Sequence, residues 1–216
     1  MATKSSLRNK KVLITCGPTW VPIDPVRVIS NSSSGKLGHL IAETFQKQGA
    51  AVTLLEGPTT HIFSNKAVKV LKFWLYGELK KLVRQQLSES FDIVVHAAAV
   101  SDYKVKNSFR SKLRSQISNL TLALKPTVKI IDQIKKYKPR TFLVGFKLES
   151  HIDNSSFIPM VKNLFTKSKC DLVVINSDNN KKYTGHIIDK KGAISTTIHS
   201  REAMAKKLVQ SVRAKI

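Results

Sequence analysis

Short continuous apolar runs alternate along this chain with segments in which apolar positions recur every three or four residues. The first run, "KVLITCG" at 11–17, is closed by Gly17-Pro18 and predicts a parallel strand buried on both faces. A loop extends from there to about Ser34. Residues 36–49 place Leu37, Leu40, Ile41 and Phe45 at helical spacing, with Gly49 as the stop. Strands are predicted at 51–57 and, by alternation, at 67–75. The next helix, 77–89, turns Leu79, Leu82, Val83 and Leu87 inward. A fourth, fully buried strand is predicted at 92–100, a short extended piece at 119–124, a helix at 127–137 and a strand at 141–149. A helix at 159–169 follows, because Pro159 fits only a first turn. The pattern closes with a buried strand at 172–176, a hairpin at 184–198 turning at Lys191-Gly192, and a helix at 201–215.

Repeated strand–helix units imply an α/β fold: a doubly wound, mostly parallel, Rossmann-like sheet with right-handed crossovers and a C-terminal hairpin and helix. With 216 residues, no repeat and no low-complexity linker, the chain reads as one domain, 1–216, with a flexible tail at 1–10.

Composition narrows the function classes. Hydrophobic residues make up 42%, which suits an ordinary core. No apolar run approaches the ~20 residues of a membrane span. The N-terminus "MATKSSLRNKK" shows no secretory signal, and its Ser/Lys-rich, acid-free start only faintly resembles a transit peptide. Cys16 and Cys170 form no CxxC and no Cys/His cluster, which argues against a disulfide scaffold or a structural zinc and for a cytoplasmic protein. Cys16, at the end of a buried strand, reads as core. Charge changes the picture most: 37 basic against 14 acidic residues give +23. This excess fits nucleic acid or polyanionic small molecules. The bases are scattered, with a local peak at 103–114, and aromatics (7%) do not interleave with them as a stacking platform would. Small anionic substrates are the better fit.

Ligands of such sheets sit beyond the carboxyl ends of strands, here the loops after Gly17, Val100 and Phe146. The first is distinctive. Asn31, Ser32, Ser33, Ser34 and Gly35 lead bare backbone into a helix N-terminus, where unpaired N–H groups and the helix dipole attract a phosphate or carboxylate. Lys36 adds a point charge. The structural alternative is that Ser34 is only an N-cap, with Gly35 and Gly38 allowing close packing. The Rossmann glycine fingerprint is absent, and a P-loop fails because Leu37 follows Lys36.

The stretch "GPTWVPIDPVRVISNSSSGKLG" (17–38) closely resembles the signature of phosphopantothenate–cysteine ligases, and "HAAAVSDY" (96–103), "FLVGFKLES" (142–150) and "CDLVVINSD" (170–178) resemble that family's further motifs, in order. The resemblance implies a stand-alone ligase of coenzyme A synthesis. Such an enzyme joins 4'-phosphopantothenate to L-cysteine through an acyl-nucleotidyl anhydride, releasing pyrophosphate and a nucleoside monophosphate. CTP is the usual triphosphate in bacterial members and ATP in eukaryotic ones, with Mg²⁺ as cofactor and a homodimer as the assembly. By the same resemblance Asn31 contacts the acyl group and serves the second half-reaction, Arg27 supports that loop or the intermediate, and Lys112 sits over the triphosphate and promotes the anhydride. Gly17, Ser34, Gly35, Lys36, His96, Ala97, Ala98 and Ala99 would meet the nucleotide. Asp102 would bind its ribose or base, Pro126, Thr127, Val128 and Lys129 would wrap it, and Phe146 matches the family's Phe.

The chain departs from the family pattern at Trp20-Val21, where the family has Arg-Glu, and at Lys147-Leu148, where it has a small pair. Lys162 and Lys167, matched to two nucleotide-contacting lysines, are five apart rather than four. Past Asp178 the match is weak. No Mg²⁺ ligand is evident, and none need be a side chain, since phosphate and water can supply the shell. The segment 103–117 carries lysines and arginines without an acid and reads as a mobile loop that closes over a polyanion. Two other readings stay open: a Rossmann-like nicotinamide-dependent oxidoreductase, in which Glu56 would end the second strand as the ribose ligand, and a basic nucleic-acid-binding protein.

Overall fold

A computed structural model describes residues 7–150, 157–179 and 182–216. In chain order its elements are β1 (Lys11–Cys16), β2 (Trp20–Pro22), β3 (Val28–Ser30), α1 (Lys36–Lys47), β4 (Ala51–Glu56), β5 (Lys69–Lys72), α2 (Tyr76–Ser88), β6 (Ile93–His96), β7 (Tyr103–Val105), β8 (Leu124–Pro126), α3 (Ile131–Tyr137), β9 (Phe142–Leu148), α4 (Phe157–Thr166), β10 (Leu172–Asn179), β11 (Lys182–Asp189) and α5 (Arg201–Arg213). Seven strands form one sheet in the order β11-β10-β9-β6-β1-β4-β5, parallel throughout except for the β10–β11 pair. The expected doubly wound sheet is present.

Side-chain alternation along β1 shows why its run is uniformly apolar. Val12, Ile14 and Cys16 join Ile41 and Phe45 of α1 and Leu208 of α5 on one face. Leu13 joins Leu79 and Val83 of α2 and Ile134 of α3 on the other. Helix α1 lies close against β1 because Gly38 has no side chain: a Cβ there would fall 2.2 Å from the Cβ of Cys16. The helix ends are specified locally. The Glu78 carboxylate accepts the N–H groups of Trp74 (2.7 Å) and Leu75 (3.1 Å) before α2, and Ser200 Oγ accepts the N–H of Ala203 at the start of α5.

Several sequence expectations are corrected. The loop to Ser34 contains an antiparallel ribbon, β2–β3, and the piece expected at 119–124 instead supplies β8, which pairs with β7 in a second ribbon. Strands expected at 67–75 and 92–100 are shorter, at β5 and β6, and the helix expected at 127–137 starts only at Ile131. The principal C-terminal hairpin pairs β10 with β11. The predicted turn at Lys191-Gly192 exists, with Gly192 at φ +81°, but it returns only isolated bridges at Ile194 and Ile198. Of the expected tail, residues 1–6 lie outside the described residues and Leu7 is buried.

Candidate active site

Strand order reverses beside β1: the chain leaves it through α1 to β4 on one side and returns through α2 to β6 on the other. The crevice between the β1 and β6 loops is therefore the ligand position of this topology. Backbone hydrogen bonds lace its walls together. Gly17, at φ +77°, accepts the N–H of Ala99 at 2.9 Å, Thr15 accepts that of Ala97 at 3.1 Å, and Gly57 donates to Cys16 at 2.9 Å. Helix α1 opens at Gly35, at φ +74°, without a side-chain cap; only the N–H of Lys36 approaches Ser34 Oγ, at 3.4 Å. The first-turn donors and the positive end of the dipole are thus left for an outside partner.

Asn31, exposed just past β3, directs its amide nitrogen at the carbonyls of Ala99 (3.1 Å) and Val100 (3.4 Å). It ties the β3 end to the β6 loop. Arg27 does not point at a ligand site alone: its guanidinium donates to the Asp24 carboxylate at 2.6 Å and to the Leu113 carbonyl at 3.3 Å. Asp24, missed at the sequence level, is the keystone. Its side chain is fully buried and also accepts the N–H groups of Val26, Arg27 and Leu113. Burial pushes its pKa upward, but the N–H groups of Val26, Leu113 and Arg27, with the Arg27 guanidinium, outweigh that and hold it at about 2. The clasp places Leu113, and with it the exposed Lys112, over the turn between β2 and β3. Phe109 N–H adds a second tie to the Ile23 carbonyl at 2.8 Å. The 103–117 segment is therefore strand at its start and pinned at two points further on.

The opposite wall is the 126–129 segment. Thr127 Oγ1 donates to Ser101 O at 2.7 Å, the Thr127 N–H reaches Asp102 O, and Ser101 is bonded in turn to Thr19. Asp102 and Lys129 form an exposed ion pair. Tyr76, at the start of α2, donates its hydroxyl to Val128 O at 2.7 Å. His96 faces inward: its Nδ1 is 3.0 Å from Thr15 Oγ1, which also takes the N–H of Ala98, and burial pushes the imidazole down to about 4. Its side chain is structural, and Ala97, Ala98 and Ala99 form the half-exposed rim after it. Phe146 lies on β9, half-buried. Lys36 pairs with Glu202 of α5 at 3.1 Å, Lys162 is exposed on α4, and Lys167 meets Asp132 at 3.2 Å. Among the described residues no group of three His, Cys, Asp or Glu side chains could hold a metal ion. Glu56 is buried and bound by His39 and Lys72, which removes it as a ribose ligand and with it the basis of the oxidoreductase reading. Asp24, Thr15, Thr19 and Tyr76 left no local signal except the Asp24-Pro25-Val26-Arg27 turn.

Fold and crevice define an α/β protein of the doubly wound class with an uncapped helix N-terminus at its switch point. Residues 7–216 match the family model described as DNA/pantothenate metabolism flavoprotein C-terminal domain, and the chain belongs to that family. It is 39% identical over 173 residues to a coenzyme A biosynthesis bifunctional protein CoaBC of Thermococcus kodakarensis, covering 80% of this chain and 42% of that one. A CoaBC of Methanocaldococcus jannaschii is 31% identical over 214 residues, covering 95% and 51%. The chain thus spans about half the length of the curated relatives it matches. Among solved structures, a DNA/pantothenate metabolism flavoprotein from Streptococcus pneumoniae superposes with TM-score 0.84 at 24% identity, over 96% of this chain and 100% of that one. A Cab2 mutant in complex with phosphopantothenate-cysteine superposes with TM-score 0.71 at 22% identity, over 97% and 90%, and shares the fold. No described helix is long and apolar enough to cross a membrane.

Proposed function

We propose that this chain joins 4'-phosphopantothenate to L-cysteine at the expense of a nucleoside triphosphate, with CTP preferred. One observation carries this reading. Two signature stretches far apart in sequence, 17–38 and 96–103, and the 126–129 segment expected to wrap the nucleotide are laced into one crevice by the Ala99–Gly17, Asn31–Ala99 and Thr127–Ser101 hydrogen bonds. In the first step a pantothenate carboxylate oxygen attacks the α-phosphorus, the bond to pyrophosphate breaks, and an acyl-nucleotidyl anhydride forms. Both reactants are anions, so the uncapped N-terminus of α1, Lys129 and the clasped Lys112 serve by neutralising charge and fixing position. Mg²⁺ would enter with the triphosphate and would supply further neutralisation of its charge. In the second step the cysteine amine attacks the acyl carbon and the nucleoside monophosphate leaves. The Asn31 amide, once released from the Ala99 and Val100 carbonyls, is the donor for the oxyanion formed on the way.

The test is pyrophosphate release from purified protein given phosphopantothenate, cysteine, Mg²⁺ and each triphosphate in turn. Release is expected, fastest with CTP. Release that does not require phosphopantothenate, or none with any triphosphate, rejects the proposal. We further propose that the two ribbons form the subunit interface: Val28, Ile29, Tyr103 and Leu124 are all exposed there, and β2 packs beside β7.

A further inference from the structure

Beside the crevice runs a chain of polar groups that the ligation chemistry does not use. Glu56 ends β4 almost wholly buried. One carboxylate oxygen accepts from His39 Nε2 at 2.6 Å, and the other meets the Lys72 ammonium. The second nitrogen of the His39 ring lies 3.1 Å from Nδ1 of His61. A carboxylate only accepts, so His39 Nε2 carries the hydrogen; with His39 neutral, His61 Nδ1 must then donate to it. Burial pushes the His39 imidazole below its ordinary value against the pull of Glu56, which favours that neutral form. The Thr59 hydroxyl closes the chain, donating to the His61 carbonyl at 3.1 Å and approaching Glu56 at 3.4 Å.

Thr59 is also where this chain of groups meets the crevice. A Cβ on Gly35 would lie 2.4 Å from the Thr59 methyl, and one on Gly17 would lie 2.9 Å from it. Both glycines have positive φ and shape the two turns that frame the α1 N-terminus. The 57–61 loop therefore presses its threonine onto the backbone that would surround a phosphate. A bare buried carboxylate so close would repel that ligand; the Lys72 ammonium offsets its charge and the His39 N–H satisfies its other oxygen.

We propose that Glu56, His39, His61 and Thr59 form a latch that holds the 57–61 loop against Gly17 and Gly35 and so sets the width of the anion cradle. Thr59 and His39 are positioning residues for pyrophosphate- and triphosphate-bearing ligands. This rests on reading the cradle as the phosphate site. Thr59→Val keeps the shape and loses the hydroxyl, Thr59→Ser keeps the hydroxyl, and His61→Ala removes an exposed ring from the chain's outer end.

The measurement is calorimetric affinity of the full chain for inorganic pyrophosphate, with melting temperature and amide exchange of 57–61 recorded alongside. Thr59→Val and His61→Ala should each weaken binding about fivefold, the worth of one hydrogen bond. Melting should stay within about 2 °C, the 57–61 amides should exchange faster, and Thr59→Ser, which keeps the hydroxyl but not the methyl facing Gly17 and Gly35, should lose less affinity than Thr59→Val. Wild-type affinity in both Thr59→Val and His61→Ala overturns the latch, as does a Thr59→Ser loss equal to that of Thr59→Val. A wild-type protein that binds no pyrophosphate sinks the cradle and the latch together. One that binds it, shows the variant losses, and yet releases none from substrates leaves the latch standing and rejects the ligase reading alone.

Discussion

In the proposed reaction Asn31 is the donor of the second step. Its amide nitrogen now braces the Ala99 and Val100 carbonyls. Asn31→Asp replaces that donor with a carboxylate, which repels both carbonyls and phosphates. We expect the second half-reaction to suffer more than the first, so that acyl-nucleotide accumulates in a quenched single-turnover assay; turnover of cysteine at the wild-type rate would reject the role. His96 predicts a pH effect. Its folded pKa is about 4, depressed by burial from 6.5. The unfolded chain therefore binds the extra proton between these values, and stability is full above pH 6.5 and falls as pH drops towards 4. The loss is about 3 kcal/mol across that window. Urea midpoints at stepped pH should fall accordingly, and His96→Gln should flatten the acid arm.

At the scale of elements, the Asp24 clasp decides how the 103–117 segment meets the crevice. Asp24→Asn keeps the volume but loses the charge that holds Arg27 and the N–H of Leu113. The segment should exchange its amides faster while the sheet does not, and anhydride formation should slow; Lys112→Gln should slow the same step with exchange unchanged. Added Mg-CTP should protect 106–117 in the wild type, and equal protection with and without it would argue against closure. Two helical glycines give opposite expectations. Gly38→Ala forces a methyl into Cys16 and should cost about 1–3 kcal/mol as α1 shifts from β1. Gly77→Ala, with nothing within 4 Å, should stabilise α2 by up to about 1 kcal/mol. Thermal melts of the pair decide both.

Over the whole molecule, covered and uncovered surfaces divide by height above the sheet. Helices α1 and α5 cover one face and α2, α3 and α4 the other, while the ribbons above the rim expose Val28, Ile29, Tyr103 and Leu124. Sedimentation should show a dimer, and Ile29→Asp should shift it towards monomer without lowering the helix content seen by circular dichroism. A monomeric wild type, or an unaltered Ile29→Asp dimer, removes the ribbon interface.

By itself the sequence determined the sheet's buried strands, the five helices and the outline of the crevice. Strands such as β1 and β6 must be apolar on both faces, and a helix such as α1 must repeat every three or four residues, so both print a local pattern. The 17–38 stretch likewise showed a helix entry stripped of side chains. Only the tertiary structure decided the ribbons, because β3, β7 and β8 are mainly exposed and their pairing, such as Tyr103 with Pro126, joins residues far apart without any alternation to betray it. It alone decided the hairpin too, since the apolar runs of β10 and β11 name no partner. Charge was the least legible of all. Asp24, Glu56 and Asp102 are alike in composition, yet the first is buried under N–H donors, the second under His39 and Lys72, and the third lies exposed beside Lys129. Burial of a carboxylate depends on donors brought from distant segments, and those meet only when the chain has folded.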